Sequence, residues 1–495
     1  MFETLEVGKH IEDDDFSQLE DRLREKLLIA QLDLADRDYP VIIVVAGLDG
    51  AGKGSLVQQF NEWMDPRWIE TNTFWEYSDE EESRPYFWRF WRTLPARKQI
   101  GIFLGSWYTR PAQAAVTGEM DAEEFALYCK QIESFERMLT DDGAVLVKLW
   151  LHVREDTQKS RLAETSSHRK SHIRHPDRPY ELRGMYQRTL EVSQQLILAT
   201  DTSHSRWHLI EAEDAHYRDI TAGERVLEAM QYRAGRPLTA KAPKEEPAAI
   251  SLSGPQPTVL DSVDLSLSLD KKSYRRQLEI LQSRLRDLGW QAYAQKRSVV
   301  AVFEGWDAAG KGSSIRRVTH AIDPRLFRLV QFAAPTDEEA AHHYLWRFWR
   351  QLQRDGRCTF YDRSWYGRVL VERVEQFATA AEWQRAYGEI NQFEKQLVEH
   401  GIILLKFWIH ISAKEQEKRF RARQKTPHKK HKLTDEDWRN RKKWHEYENA
   451  VDEMVSHTST QHAPWTLVAG NDKPYARIQI LDTFCQRLGE ALESP

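Results

Sequence analysis

A chain of 495 residues is longer than one hydrophobic core usually supports, so we expect two domains. Hydrophobic residues make up 41% and charged residues 30%, which is typical of a globular protein, and the formal net charge of −5 argues against a general nucleic-acid-binding surface. The three cysteines, Cys129, Cys358 and Cys485, are far apart, which excludes a cysteine-based zinc site and a disulfide framework and favours a reducing compartment.

The N-terminal residues 1–20 are acidic and lack the apolar core of a signal peptide. No stretch of the sequence approaches the roughly 18 uninterrupted apolar residues of a membrane span. We therefore expect a cytoplasmic protein with no membrane partner.

In chain order, the first strong signal is the segment Gly-Leu-Asp-Gly-Ala-Gly-Lys-Gly at residues 47–54, which follows an apolar run at residues 41–46. A buried strand, glycines whose N–H groups can turn around an anion, a lysine and a helix N-terminus are the parts of a phosphate-binding loop. The same parts return at residues 305–312, Gly-Trp-Asp-Ala-Ala-Gly-Lys-Gly, after the apolar run 299–303. A glycine-rich turn without a ligand is the alternative, and the lysine and flanking elements argue against it.

The two loop lysines, Lys53 and Lys311, are 258 positions apart, and this offset persists without a gap along the chain. Chance cannot hold such a register, so the chain is a tandem duplication of one domain. We predict a first copy at residues 1–235, a proline-containing linker at 236–268 and a second copy at 269–495. Matching segments are 65–67 with 323–325, 88–92 with 346–350, 106–108 with 364–366, and Trp207 with Trp465.

Within the second copy, the spacing of apolar residues predicts alternating helices and strands. Short apolar strands separated by amphipathic helices indicate an α/β fold with a parallel sheet covered on both faces. Ligands of such sheets bind beyond the carboxyl ends of the strands, where the phosphate loop lies. Helices are predicted at residues 274–296, 313–322 and 380–400, and strands at 298–303, 326–332, 357–361, 402–411 and 465–469.

One position of the second loop departs from the usual pattern. Gly312 stands where a Ser or Thr hydroxyl next to the lysine normally binds Mg²⁺, so the metal needs another ligand, and Asp307 inside the loop is the candidate. Lys311 would reach the phosphates. The other residues predicted to surround the phosphate are Gly305, Ala308, Ala309, Gly310, Gly312 and Ser313.

Asp362 follows the predicted strand 357–361 and precedes Arg363. An acid that leaves a buried strand beside a phosphate loop can bind Mg²⁺, and an adjacent guanidinium can clamp phosphate oxygens. A turn or helix-capping role is the alternative for this acid. For Arg368 and Arg373, which come next, phosphate binding and a solvated salt bridge with Glu372 are both open.

A strongly basic run occupies residues 418–432, with eight Lys or Arg and no acid. Pro427 interrupts the run between two predicted helices, which suits a lid that folds over phosphates and excludes water. Arg423, Lys429 and Lys432 are the lid residues expected at the phosphates. A solvated helix face and a nucleic-acid contact are the alternatives, since backbone phosphates would also be attracted.

Together, these residues resemble the polyphosphate kinase 2 family. The resemblance rests on the loop 305–312, Asp-Arg-Ser-Trp-Tyr at 362–366, the strand 405–408, the basic lid, and Asn-Asp-Lys-Pro-Tyr-Ala-Arg at 471–477, in this order. It covers each copy nearly end to end. The tandem arrangement is similar to that of the two-domain members, which are polyphosphate:AMP phosphotransferases.

The resemblance implies a thymidylate kinase-like, P-loop kinase-like fold with a helical lid, dependence on Mg²⁺, and transfer of the terminal phosphoryl group of inorganic polyphosphate to AMP, which gives ADP. Polyphosphate and AMP or ADP are then the expected partners, nucleic acid is disfavoured, and a homo-oligomer is left open. Asp307 and Asp362 would bind the metal. The resemblance implies catalytic roles for Asp307, Lys311, Asp362, Arg363, Arg373 and Arg423, and adds Asp472 and Arg477 to the substrate site.

Comparison of the copies through the offset assigns catalysis to the second. The charged residues Asp362, Arg363, Arg373, Arg423 and Lys429 face Leu104, Gly105, Ala115, Thr165 and Ser171 in the first copy. Because phosphoryl transfer depends on positioning and charge neutralisation, the first copy should be structural or hold polyphosphate. The alternative functions are an ATP-dependent nucleotide or small-molecule kinase, and a non-catalytic regulator that binds polyphosphate or nucleic acid.

Overall fold

A computed structural model of the chain describes residues 1–74, 76–167, 184–235, 258–426 and 435–493. The chain divides into two compact units, one built mainly from the first half of the sequence and one mainly from the second. Within the described ranges, no helix is both long and apolar enough to cross a membrane.

The first half contains one parallel five-stranded sheet. Its strands are β1 (Val41–Gly47), β2 (Ile69–Thr73), β3 (Ile100–Leu104), β4 (Val145–His152) and β5 (Trp207–Glu211), in the order β2-β3-β1-β4-β5. Its helices are α1 (Asp13–Leu34), α2 (Lys53–Trp63), α3 (Asp79–Glu82), α4 (Trp88–Arg92), α5 (Thr109–Thr117), α6 (Ala122–Asp141), α7 (Glu155–Ser167), α8 (Tyr186–Thr200) and α9 (Ala215–Ala234).

The second half repeats this topology. Its strands are β6 (Val299–Gly305), β7 (Phe327–Gln331), β8 (Cys358–Asp362), β9 (Ile403–His410) and β10 (Trp465–Ala469), all parallel, in the order β7-β8-β6-β9-β10. Its helices are α10 (Lys271–Ala294), α11 (Lys311–Thr319), α12 (Asp337–Ala340), α13 (Trp346–Trp349), α14 (Val371–Val374), α15 (Ala380–Glu399), α16 (Ala413–Lys425), α17 (Asp435–Lys442), α18 (Trp444–Thr458) and α19 (Lys473–Glu493). The predicted α/β fold and its duplication are confirmed.

The central strand β6 shows why its apolar pattern predicts a buried strand. All five residues of the run 299–303 are buried, because strands flank β6 on both sides and helices cover the sheet. The predicted strands match the observed ones to within about two residues. The helix after the second loop begins two residues earlier than predicted, at Lys311 and not at Ser313. Gly310 takes a left-handed conformation, with φ 119°, and ends the loop one residue before the lysine.

The described part of the predicted linker is ordered against the second unit. A short 3-10 helix spans Val259–Ser262, and Leu260 is only 2% exposed. The backbone N–H of Val259 donates to Asp452 Oδ1 at 2.6 Å. The rest of the linker, residues 236–257, lies outside the described residues.

A buried polar network recurs in both halves. In the second, the Glu394 carboxylate accepts hydrogen bonds from Trp365 Nε1 (3.0 Å) and the Tyr366 hydroxyl (2.6 Å), and it pairs with Lys406 Nζ at 2.7 Å. This network ties the segment after β8 to β9 and α15. The corresponding first-half residues are Glu136, Trp107, Tyr108 and Lys148. Because it is present in both copies, the network serves the fold and does not distinguish their chemistry.

Candidate active site

The second loop forms a cradle of backbone donors at the start of α11. Gly305 has φ 147°, and a Cβ at this position would lie 2.6 Å from the Ile409 carbonyl oxygen, so only glycine fits. In the described part of the chain, several loop N–H groups donate to no acceptor, and four of them lie within three residues of Lys311, the first residue of α11. Four such donors at a helix N-terminus can hold a phosphate. They belong to Ala308, Gly310, Lys311 and Gly312.

Two cations of the loop region have different tasks. Lys311 Nζ donates to the Gly305 carbonyl at 2.6 Å and makes no ion pair with any described residue, so its charge is available to an anion. Arg419 is buried, and its guanidinium donates to the carbonyls of Ala308 (3.0 Å) and Ala309 (2.7 Å). Arg419 therefore braces the loop.

The whole run 418–432 is predicted to form a lid over the phosphates, but Arg419 lies against the loop backbone. Residues 418–425 belong to helix α16, which Ser412 caps by accepting from the Glu415 N–H at 3.2 Å. Arg, Lys and Gln are good helix formers, so the first half of the run extends a helix. Arg423 lies half-buried in this helix, whereas Lys429 and Lys432 lie outside the described residues.

Asp362 ends β8 beside the start of α11. Its Oδ2 atom lies 3.9 Å from the point that a Cβ on Gly312 would occupy. Among the described residues, none hydrogen-bonds or forms an ion pair with this carboxylate. The acid therefore faces the position where other phosphate loops carry a metal-binding hydroxyl.

Asp307 is the second predicted metal ligand. Its Oδ2 accepts a hydrogen bond from Asn440 Nδ2 at 3.2 Å, and its carbonyl accepts from Gln416 Nε2 at 3.2 Å. The described residues contain no group of three His, Cys, Asp or Glu side chains that could hold a metal alone. Mg²⁺ commonly uses one or two carboxylates together with substrate phosphates, so the pair of Asp307 and Asp362 fits Mg²⁺ and does not fit structural zinc.

Arg363 is exposed and has a left-handed backbone, with φ 69°. This conformation costs a residue other than glycine about 1 kcal/mol. Ser364, the next residue, donates its N–H (2.9 Å) and its hydroxyl (2.8 Å) to Oε1 of Glu304. Sequence reasoning missed Glu304 because it reads as part of the apolar strand β6.

Glu304 is 6% exposed, and burial raises the pKa of its carboxyl group. The positive charges of Lys311 and Arg363 and the hydrogen bond from Ser364 oppose this rise. The buried acid is thus held next to two cations of the candidate site.

Arg368 and Arg373 are both engaged in ion pairs. Arg368 Nε lies 3.2 Å from Glu372 Oε2, which is the salt bridge considered as the alternative. Arg373 makes a bidentate pair with Glu453, at 2.6 and 2.8 Å, which raises the pKa of its guanidinium against the effect of burial. Both guanidinium groups thus have carboxylate partners in the described arrangement, and the roles predicted for them at the phosphate stay predictions.

The start of α19 separates two residues that the motif had grouped. Asp472 Oδ1 accepts from the Tyr475 N–H at 2.8 Å and caps the helix. Arg477 instead has a buried Nε atom without a hydrogen-bond partner among the described residues. Ser313, in the loop, donates its hydroxyl to the Gly310 carbonyl at 2.9 Å. Asp472 and Ser313 thus satisfy the backbone, whereas Arg477 keeps a donor for a ligand.

Lys473 joins Arg477 in a group of cations. Partial burial and the nearby guanidinium groups of Arg419, Arg477 and Arg423 lower the pKa of Lys473 to about 8. Like charges repel unless an anion lies between them, so this group suits a polyanionic substrate. Lys473 stood inside the sequence motif, but only the fold places it beside the other cations.

The indole of Trp306, in the loop, stacks on Trp444 with ring centroids 3.7 Å apart and an interplanar angle of 8°. Its Nε1 donates to His410 Nδ1 at 3.0 Å, and burial lowers the pKa of His410 to about 4, so this ring is neutral and can accept. With Asn440, Trp444 connects α17 and α18 to the loop. The long separation in sequence hid this contact.

The first loop keeps the backbone cradle but not its free cations. Lys53 Nζ pairs with Asp49 Oδ1 at 3.2 Å inside its own loop. Arg218 makes a bidentate pair with Asp219, at 2.7 and 2.9 Å, and a Cβ on Gly52 would overlap its guanidinium. Asp219 occupies the position of Arg477. Lys53 and Arg218 at the first loop are therefore each paired with an acid of the same copy.

Comparison with known proteins gives the same family for both halves. A sequence model described as Polyphosphate kinase 2 (PPK2) matches residues 10–236 and 268–494. The chain is 46% identical over 486 residues to a polyphosphate:AMP phosphotransferase of Pseudomonas aeruginosa, with 98% of each chain covered. It is 43% identical over 499 residues to a protein of the same name from Pseudomonas syringae pv. tomato, with 99% of each covered.

A crystal structure of a polyphosphate kinase 2 from Pseudomonas aeruginosa is similar over the whole chain, with a TM-score of 0.89, 44% identity and 100% of each chain covered. The chain therefore belongs to the polyphosphate kinase 2 family and carries two copies of its domain.

Proposed function

We propose that this protein transfers the terminal phosphoryl group of inorganic polyphosphate to AMP, giving ADP, with Mg²⁺ and with catalysis in the second copy. The observation that carries the proposal is the match over nearly the full length to proteins named polyphosphate:AMP phosphotransferase. The arrangement of charges in the second copy supports the same reading.

In this proposal the loop N–H groups and Lys311 bind phosphate, and Arg363 neutralises the group in transfer. Arg423, Lys473 and Arg477 bind the rest of the polyanion. Asp307 and Asp362 would hold Mg²⁺, which when bound neutralises phosphate charge. Positioning and charge neutralisation account for most of the catalysis in phosphoryl transfer, so these residues suffice without a covalent intermediate.

We infer that the first copy is a scaffold for this reaction. Leu104 and Gly105 replace the acid and the arginine after its third strand, and its loop lysine is paired with Asp49. Its loop backbone resembles that of the second copy, so we expect at most weak binding of a polyphosphate chain there.

The test is to incubate purified protein with AMP, Mg²⁺ and long-chain polyphosphate in the absence of ATP, and to measure ADP. We expect ADP formation that ATP cannot replace as donor, and ADP should be tried as a second acceptor. Transfer from ATP with none from polyphosphate would support the small-molecule kinase, and polyphosphate binding without turnover would support the regulator.

A further inference from the structure

Glu304 is a buried carboxylate of the second copy that has no counterpart in the first. It lies one residue before the end of β6, and its neighbour Phe303 pairs with Asp362 across the sheet. Its Oε1 accepts both the N–H and the hydroxyl of Ser364. The side chain therefore holds the turn that carries Asp362 and Arg363.

The first copy makes the same turn without a carboxylate. Ala46 replaces Glu304, and Gly105, with φ 72°, replaces Arg363. The N–H of Ser106 donates to Thr109 Oγ1 at 3.0 Å. A neutral hydrogen bond is thus sufficient where glycine takes the left-handed conformation without strain.

The turn of the second copy is more strained, because Arg363 adopts the left-handed conformation that glycine takes in the first copy. Arg363 must keep this conformation to place its guanidinium at the site. A charged acceptor makes shorter and stronger hydrogen bonds than a neutral one. Glu304 also interacts electrostatically with Lys311, at the start of α11, and with Asp362 and Arg363, at the end of β8. Its presence in only one copy separates it from the Glu394 network, which occurs in both.

We propose that Glu304 is a positioning residue for phosphoryl transfer, acting through the backbone of the turn to keep Arg363 and Asp362 at the reacting phosphate. This rests on the function proposed above. Glu304 itself need not touch the substrate.

A double-mutant cycle with E304A and R363G tests this coupling. E304A should lower kcat by about ten- to a hundredfold, since displacement of catalytic groups by about 1 Å has effects of this size. The Michaelis constants should change less than about threefold. In the R363G background the further loss from E304A should be below about threefold, because Arg363 is already absent and a glycine holds the turn that carries Asp362 without support from Glu304.

Two further variants act as controls. E304Q keeps an oxygen acceptor for Ser364 and should retain more of kcat than E304A. T109A removes the corresponding bond in the first copy and should leave kcat unchanged. Losses that multiply independently in the E304A and R363G double variant, or E304Q no better than E304A, would overturn the proposal.

Thermal unfolding of the same proteins separates this proposal from the proposed function. E304A should lower the Tm more in the wild-type background than in the R363G background, because glycine needs no support at φ 69°. If wild type makes no ADP from polyphosphate and AMP, the proposed function fails, and the unfolding cycle still tests whether Glu304 supports the turn. Equal Tm losses in both backgrounds would contradict it.

Discussion

The two phosphate loops of this chain have similar backbone conformations, but their lysines differ in their ion-pair partners. Both keep left-handed loop conformations, at Gly50 in the first and Ala308 in the second. In the first loop Lys53 is paired with Asp49, whereas in the second Asp307 bonds to Asn440 and leaves Lys311 without an ion pair among the described residues. The two loops therefore differ in the charge that they offer to a phosphate, although their backbones are alike.

The same contrast holds at the helix that follows the last strand of each sheet. The first copy has Ala215 and an internally paired Asp219 where the second has Lys473 and Arg477. The second copy thus concentrates cations that repel one another until an anion binds. Such an arrangement costs stability in the free protein, which is consistent with the proposed binding of a polyanion.

The largest expected effect is at Asp362. Asp362→Asn should lower kcat by about a thousandfold with the fold intact, because several kcal/mol of charge stabilisation at the metal would be lost and each 1.4 kcal/mol is about tenfold. The matched change Leu104→Asn in the first copy should leave kcat unchanged. Steady-state rates at saturating Mg²⁺ provide the measurement, and a loss under about threefold for Asp362→Asn would make this acid structural.

A smaller effect, on binding, is expected at Lys473. Its pKa of about 8 means that the cation is present below pH 8 and is lost above it, so the Michaelis constant for polyphosphate should rise between pH 7 and 9. Lys473→Ala should raise that constant about two- to fivefold at pH 7. Lys473→Arg, which stays charged, should flatten the pH dependence.

An unchanged pH profile in Lys473→Arg would exclude Lys473 as the titrating group.

The lowered pKa of Lys473 also predicts how the stability of the free protein changes with pH. Because the folded-state value is below the ordinary 10.5, the unfolded chain binds more protons between about pH 8 and 10.5, and the free energy of unfolding should rise through that window.

The smallest effect on rate is expected at the pair Arg218–Asp219. Asp219→Asn leaves a buried guanidinium without its carboxylate and should lower the free energy of unfolding by about 3 kcal/mol, with kcat unchanged. Denaturant unfolding measures the first quantity. The matched change Arg477→Met should do the reverse, lowering activity more than stability. A large loss of kcat from Asp219→Asn would give the first loop a direct part in the reaction.

The sequence was sufficient for the repeat and the strands, because apolar periodicity and a constant offset are local signals. It could not reveal Glu304, Arg419 or Asn440, which act on residues 60, 111 and 133 positions away in the chain. It also could not tell that Arg373 is paired with Glu453 or that Asp472 caps a helix. Such roles depend on which partners the fold brings together, and motifs do not specify them.

The most direct test of the central claim, that only the second loop performs the chemistry, compares Lys311→Ala with Lys53→Ala. Both remove one loop cation, and thermal unfolding should first establish that the two proteins are equally folded. We expect Lys311→Ala to abolish ADP formation and Lys53→Ala to retain the wild-type kcat, with at most a higher Michaelis constant for long polyphosphate chains. Equal loss of kcat in both variants would contradict this account.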